Sequence, residues 1–221
     1  GLTKSDLGTL VLAGTNTYNG GTTISGGTLS VASDANLGAA SSNLSLDGGV
    51  LQVTGTTFNS TARTLAMSAQ GGGIDIADAG NRFTAAQALS GSGALNKLGA
   101  GTLVLTGANT YSGGTLITAG TLQGDASSLQ GNITNNAALV FDQTASGTFV
   151  GAISGSGSLA KSGAGTLTLT GANTYTGGTT INAGTLLGDA TSLQGNITNN
   201  AALAFEQTAT STFADAITGS G

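Results

Sequence analysis

Thr102-Leu103-Val104-Leu105-Thr106 and Thr166-Leu167-Thr168-Leu169-Thr170 alternate leucine with β-branched residues at a period of two. On a pleated backbone this spacing sends the leucines to one side, which predicts strands with a single buried face. The alternation recurs as Leu44/Leu46, Leu51/Val53, Leu65/Met67 and Ile74/Ile76, each pair bounded by glycine-rich or Asn-rich breakers. Strands of roughly four to six residues joined by short turns follow from this. Nothing reads as a helix: the longest candidate, Thr84 to Leu89, is too short to be stable and runs into Gly91-Ser92-Gly93.

The pattern is also duplicated. Ala94–Gly157 and Ser158–Gly221 align without a gap and agree at 48 of 64 positions. The twelve pairs of large apolar residues expected to point inward do not vary: Leu95/Leu159, Leu103/Leu167, Leu105/Leu169, Tyr111/Tyr175, Ile117/Ile181, Leu122/Leu186, Leu129/Leu193, Ile133/Ile197, Leu139/Leu203, Phe141/Phe205, Phe149/Phe213 and Ile153/Ile217. All 16 differences fall elsewhere, and Leu98/Ser162, Val104/Thr168, Leu116/Thr180 and Val140/Ala204 are expected to face water. A third copy opens the chain, because Gly8 to Ile24 matches Gly101 to Ile117 at an offset of 93. The first module is therefore 29 residues longer, as expected if about one extra turn were inserted.

Self-similarity at this period indicates stacked units that bury their apolar sides against one another. A 64-residue unit divides into about three coils of roughly 21 residues, each long enough for three short strands and their corners. The expectation is an all-β protein, a right-handed parallel β-helix (β-solenoid) with about three coils per module. Residues 1–221 would form one elongated segment of modules 1–93, 94–157 and 158–221. A propeller blade needs about 40–45 residues in four longer antiparallel strands, which this spacing does not provide.

Composition removes several chemistries. There is no Cys and no His, so no disulfide, thiolate nucleophile, Cys/His zinc site or Ser-His-Asp triad can be built. Absence of cysteine suits an exported protein. A net charge of −5 with five scattered basic residues offers no surface for neutralising phosphates, so nucleic acid is not an expected partner. No apolar run approaches the ~20 residues of a membrane span, and no leader opens the chain, so membrane insertion of this segment is not expected. The pattern stops at Gly219-Ser220-Gly221, the counterpart of Gly155-Ser156-Gly157, and reads as part of something longer.

The stretch Lys161-Ser162-Gly163-Ala164-Gly165-Thr166-Leu167, continued by Gly171-Ala172-Asn173-Thr174-Tyr175-Thr176-Gly177-Gly178 and Ile181-Asn182-Ala183-Gly184-Thr185-Leu186, resembles the passenger-associated β-strand repeat of bacterial autotransporters. It recurs at Lys97 to Leu122 and, with Asp6-Leu7 replacing the Gly-Ala step, at Lys4 to Leu29. The resemblance implies a right-handed parallel β-helix in the secreted passenger of a Gram-negative outer-membrane protein, exported through a C-terminal barrel of the same polypeptide. It places the segment outside the cell, on the bacterial surface. The repeat carries no catalytic residue to transfer, and the proteins that bear it are often adhesins or aggregation factors.

Candidate sites are few. Asp75, Asp78 and Arg82 form the best charged cluster, but with Ile74 and Ile76 inward Asp75 points outward while Asp78 lies at or past the strand end, so a solvated turn is expected. Asp142/Glu206 and Asp125/Asp189 recur one module apart, read as three coils or ~14 Å, too far for a joint site. Gln70-Gly71-Gly72-Gly73-Ile74-Asp75 approaches a calcium nonapeptide but occurs once, and Gly91-Ser92-Gly93-Ala94-Leu95-Asn96 ends in Asn96 with no helix after it, so neither is a site. Tyr18, Tyr111 and Tyr175 are expected to pack at corners rather than stack on sugars. Asn43, Asn59, Asn132 and Asn196 open formal glycosylation sequons.

No catalytic residue, metal or cofactor is expected, and the segment is not read as an enzyme. The leading reading is a structural and adhesive stalk that supports export and contacts host glycan, matrix or another copy of itself. The alternative is the scaffold of a polysaccharide-processing β-helix enzyme, which would need a groove with convergent carboxylates. An ice-binding solenoid would need Thr-X-Thr in nearly every coil, and here it occurs in about one in three.

Overall fold

The computed structural model describes residues 1–221. Every strand pairing in it is parallel, and the strands wind as a solenoid of about 11 turns. One face is an eight-stranded sheet running from Thr9–Leu12 through Leu95–Leu98 to Ile153–Ser154, and the next is a nine-stranded sheet from Ser60–Thr61 through Thr102–Leu105 to Ile217–Thr218. The remaining face begins as a five-stranded sheet, Leu2–Lys4 to Leu89–Gly91, and resumes as a four-stranded sheet, Gly147–Phe149 to Ala202–Phe205. Between them the chain crosses as irregular backbone, held by Thr110 N donating to Leu89 O at 2.8 Å and Asn109 Nδ2 to Ser128 O at 2.6 Å.

Period-two alternation produces this arrangement because each strand can bury only one side. Leu103, Leu122, Leu139 and Leu159 lie in register on successive turns, so like side chains stack along the axis at the interstrand spacing of about 4.8 Å. The stacks merge into one apolar cluster of 36 buried residues, which includes Leu44, Leu46, Leu51, Val53, Leu65, Met67, Ile74 and Ile76 from the first module's insertion. All twelve inward residues of the 94–157 copy are buried. In the 158–221 copy Phe205 and Ile217, in the terminal strands of their sheets, are 37% and 48% exposed.

Turn length varies: Leu122 to Leu139 is 17 residues, Leu65 to Leu89 is 24. The tightest corners need glycine. Gly120 and Gly184 have φ of +65° and +66°, and a Cβ on either would come within 2.4 Å of the carbonyl oxygen of Gly101 or Gly165 on the preceding turn. One element departs from the all-strand expectation, a 3₁₀ turn at Asp34–Leu37 capped by the Ser33 hydroxyl, which accepts from Ala35 N at 3.3 Å. No helix is long and apolar enough to cross a membrane.

The register also shows how modules succeed one another. Leu95 stacks on Thr115, Ile133 and Ile153 within the eight-stranded sheet. Leu159, its equivalent one module later, instead pairs with Leu139 in the nine-stranded sheet. Leu2, the equivalent in the first module, lies in the five-stranded sheet. Equivalent strands of successive modules therefore occupy successive faces.

Candidate ligand-binding troughs

Outward side chains are also in register, so polar residues on neighbouring turns form ladders. On the nine-stranded face Arg82 lies beside Thr102, and Gln123 beside Val104. Arg82 Nη1 reaches across to donate to Gln123 Oε1 at 2.7 Å, and Gln123 Nε2 donates to Asp142 Oδ2 at 2.9 Å. This rail closes over Val104, which is only 5% exposed although it sits on the outer side of its strand. The expectation that Val104 faces water fails for that reason. Leu116 is exposed, and Leu98 and Val140 are partly so.

The rail forms one wall of a trough of about 240 Å³ whose lining includes Arg82, Val104, Thr106, Gln123, Asp125 and Asp142. A second trough, of about 120 Å³, lies on the four-stranded face and is lined by Thr168, Thr170, Leu187, Asp189 and Glu206 among others. These are the residues 64 positions beyond Val104, Thr106, Gln123, Asp125 and Asp142. The two troughs are thus one module feature displayed on two faces. The acids meet differently from the way their sequence spacing suggests: Asp125 joins Asp142 and Asp189 joins Glu206, because Gly124 pairs with Phe141 and Gly188 with Phe205 on adjacent turns. In the first module Ser30 and Ala32 stand at the positions of Gln123 and Asp125.

Hydrogen bonding keeps Asp125 and Asp189 ionised. Asp125 Oδ1 accepts from Ser127 N, Ser127 Oγ and Ser128 N at 2.9, 2.7 and 2.8 Å. Burial pushes its carboxyl up, but the bonds from Ser127 and Ser128 outweigh it and hold the group below the ordinary range. The Thr191 hydroxyl, with the amides of Ser192 and Thr191, brings Asp189 down to about 2. A carboxyl held this low is unsuited to act as a general acid.

The cluster singled out in the sequence does not assemble. Asp75 lies on the eight-stranded face, where Gln52 Nε2 donates to its Oδ2 at 2.9 Å, whereas Arg82 lies on the nine-stranded face. Asp78 bonds only locally, accepting from Gly80 N at 2.8 Å. Tyr111 and Tyr175 are buried, and each hydroxyl meets a threonine, Thr115 or Thr179, at 2.8 Å. Tyr18 is half-buried with the same contact to Thr22 at 2.7 Å. Burial raises the phenols of Tyr111 and Tyr175 above their ordinary range.

Sequence reading missed two polar devices inside the fold. Lys97 and Lys161 are fully buried, and each ammonium donates to three carbonyl oxygens at a corner: Leu98, Gly99 and Ala119, or Ser162, Gly163 and Ala183. Burial pulls Lys97 down to about 8, with the Asp75 carboxylate opposing, and lowers Lys161 in the same way against Asp142. Arg63 is also buried and pairs with Asp34 at 2.8 Å. The recurrence of lysine at the head of each repeat was the available signal for the first device; Arg63 occurs once and gave none.

Comparison with known proteins bears on these surfaces. The Passenger-associated-transport-repeat matches three times, at residues 2–31, 95–123 and 159–187. The chain is similar to the adhesin BmaC autotransporter of Brucella suis biovar 1 (strain 1330), with 48% identity over 189 residues. That alignment takes in 84% of this chain and 5% of the length of the relative. No solved structure gives a significant match.

Proposed function

Because the chain is a stretch of autotransporter passenger built on transport repeats, we propose that it serves as a surface-displayed adhesive stalk. Its mechanism is geometric. A stack of parallel turns converts a short sequence into long faces whose side chains are repeated at fixed spacing, which favours many weak contacts acting together. The observation that carries the reading is the 48% identity to a protein named as an adhesin. The relative's name suits a non-enzymatic role, and the low carboxyl ranges of Asp125 and Asp189 favour contact over acid–base chemistry.

On this reading residues 1–221 are one continuous right-handed β-helix, exposed on a Gram-negative cell and contacting host glycan, matrix or a second copy. Each 64-residue module then comprises three turns plus a step to the next face, and the first module one turn more. Support comes from the transport repeats and from the one-face displacement of Leu159 relative to Leu95.

Deleting residues 1–221 from the full-length protein tests the function. Surface display measured by antibody and attachment measured on matrix-coated wells should separate: attachment falls while display persists. If attachment is unchanged, the stalk is not adhesive. If display alone is lost, its role is in export.

A further inference from the structure

Resting on the adhesive reading, we propose that the trough bounded by Arg82 and Asp142 binds a neutral oligosaccharide, and that its twin one module later does not. The chemistry of the walls selects the ligand. A guanidinium has five N–H donors, and Arg82 uses one of them on Gln123 Oε1. Further along, Gln123 engages only Oδ2 of Asp142, and the Ser127 and Ser128 donors engage only Oδ1 of Asp125. The remaining oxygen of each carboxylate receives no hydrogen bond from the protein, and both residues belong to the lining of the cavity.

The trough therefore gathers the guanidinium donors, the carboxylate acceptors, the Thr106 hydroxyl and the apolar Val104 in one lining. Sugar hydroxyls both donate and accept, and a pyranose ring presents C–H faces to an apolar side chain, so this ligand class satisfies every part of that lining at once. Other classes fit less well. Two carboxylates repel an anion, Arg82 at the rim repels a cationic peptide, and nowhere in the chain do three or more carboxylates gather to hold a metal ion.

The twin supplies an internal control. It keeps both acids, Asp189 and Glu206, and the threonine at position 170, yet Leu187 replaces Gln123 and Ser146 replaces Arg82. Both donors are gone and the volume is half as large. Acidity is shared by the two troughs, so it is the Arg82 and Gln123 donors that distinguish them.

Heteronuclear NMR titration of the 221-residue chain with chitotriose, lactose and α-mannotriose tests the assignment. At least one sugar should shift amides around Val104, Gln123 and Asp142 in a saturable manner. Arg82→Met and Asp142→Asn should each weaken that binding at least tenfold while amide dispersion elsewhere is kept, and Asp189→Asn with Glu206→Gln should leave it unchanged. The proposal is overturned if none of the three sugars shifts these amides, if the Arg82→Met/Asp142→Asn double variant still binds, or if the shifts map to the twin. The titration uses no cells, so it succeeds or fails separately from the adhesive reading, which is decided by attachment after deletion.

Discussion

The same turn is closed in two ways in this molecule. After Thr121–Gly124 the chain needs eight residues, 125–132, to reach Ile133, and Asp125 caps the turn through Ser127 and Ser128, with the neutral amides of Asn109 and Gln143 bonding to it from adjacent turns. After Thr28–Val31, the equivalent strand of the first module, it takes twelve residues, 32–43, to reach Leu44. No local cap spans that length. Arg63, from a later turn, holds it instead, donating to both Asp34 carboxylate oxygens and to carbonyl oxygens of Asp34, Gly38, Ala39 and Ser42, and to the Ser42 hydroxyl. The short turn is capped by an acid of its own with neutral amides beside it, whereas the long one depends on a charge brought from a later turn and buried with all its donors matched.

The contrast can be broken most severely at Arg63. Arg63→Met removes the cation paired with Asp34 and one donor to each of four loop carbonyls, and a loss of about 3–5 kcal/mol is expected. Urea unfolding followed by hydrogen exchange should show the first module opening early while 94–221 keeps its protection; uniform protection would show that the arginine is dispensable. A loop exchange sharpens the comparison. Replacing residues 32–43 with the eight-residue sequence of 125–132 in the Arg63→Met background should recover most of the lost stability, read as the urea midpoint.

The corner shared by the repeats should give a smaller effect. Lys97 has a folded pKa of about 8 against an ordinary 10.5, so between these values the unfolded chain binds more protons and stability rises with pH. The urea midpoint should climb from pH 8 to 10, by the equivalent of about 1–2 kcal/mol. Above that range the raised phenols of Tyr111 and Tyr175 work in the opposite direction, because the unfolded chain loses its phenolic protons first. Lys97→Met should flatten the rise; an unchanged slope would assign it to other groups. Asp125→Ala, which removes the local cap, should cost the least, about 1 kcal/mol in the same assay.

What the sequence disclosed and what it concealed divide along physical lines. Inward positions such as Leu103, Leu122 and Leu139 are legible because burial imposes a period of two that any solenoid strand must obey. Outward positions are set by neighbours one or two turns away, and those neighbours depend on register. That is why Val104 was expected in water, although Arg82, one turn earlier, reaches past it to Gln123 one turn later. The same blindness rightly set Asp125 apart from Asp189 as too distant for a joint site but gave no sign that Asp142 shares its trough. Arg63 was invisible because a single buried charge has no periodicity, and only the path of residues 34–42 shows why it is needed.

The displacement of Leu159 onto the sheet beside that of Leu95 also bears on how such rods can change in evolution. Duplication of the 94–157 unit would repeat at the new junction the contact that Leu159 already makes with Leu139. Everything distal to the junction nevertheless swings by a third of a revolution about the long axis, and a patch that pointed toward one azimuth points toward another. Tandem duplication can thus redistribute contact sites around the rod while repeating a junction it already contains.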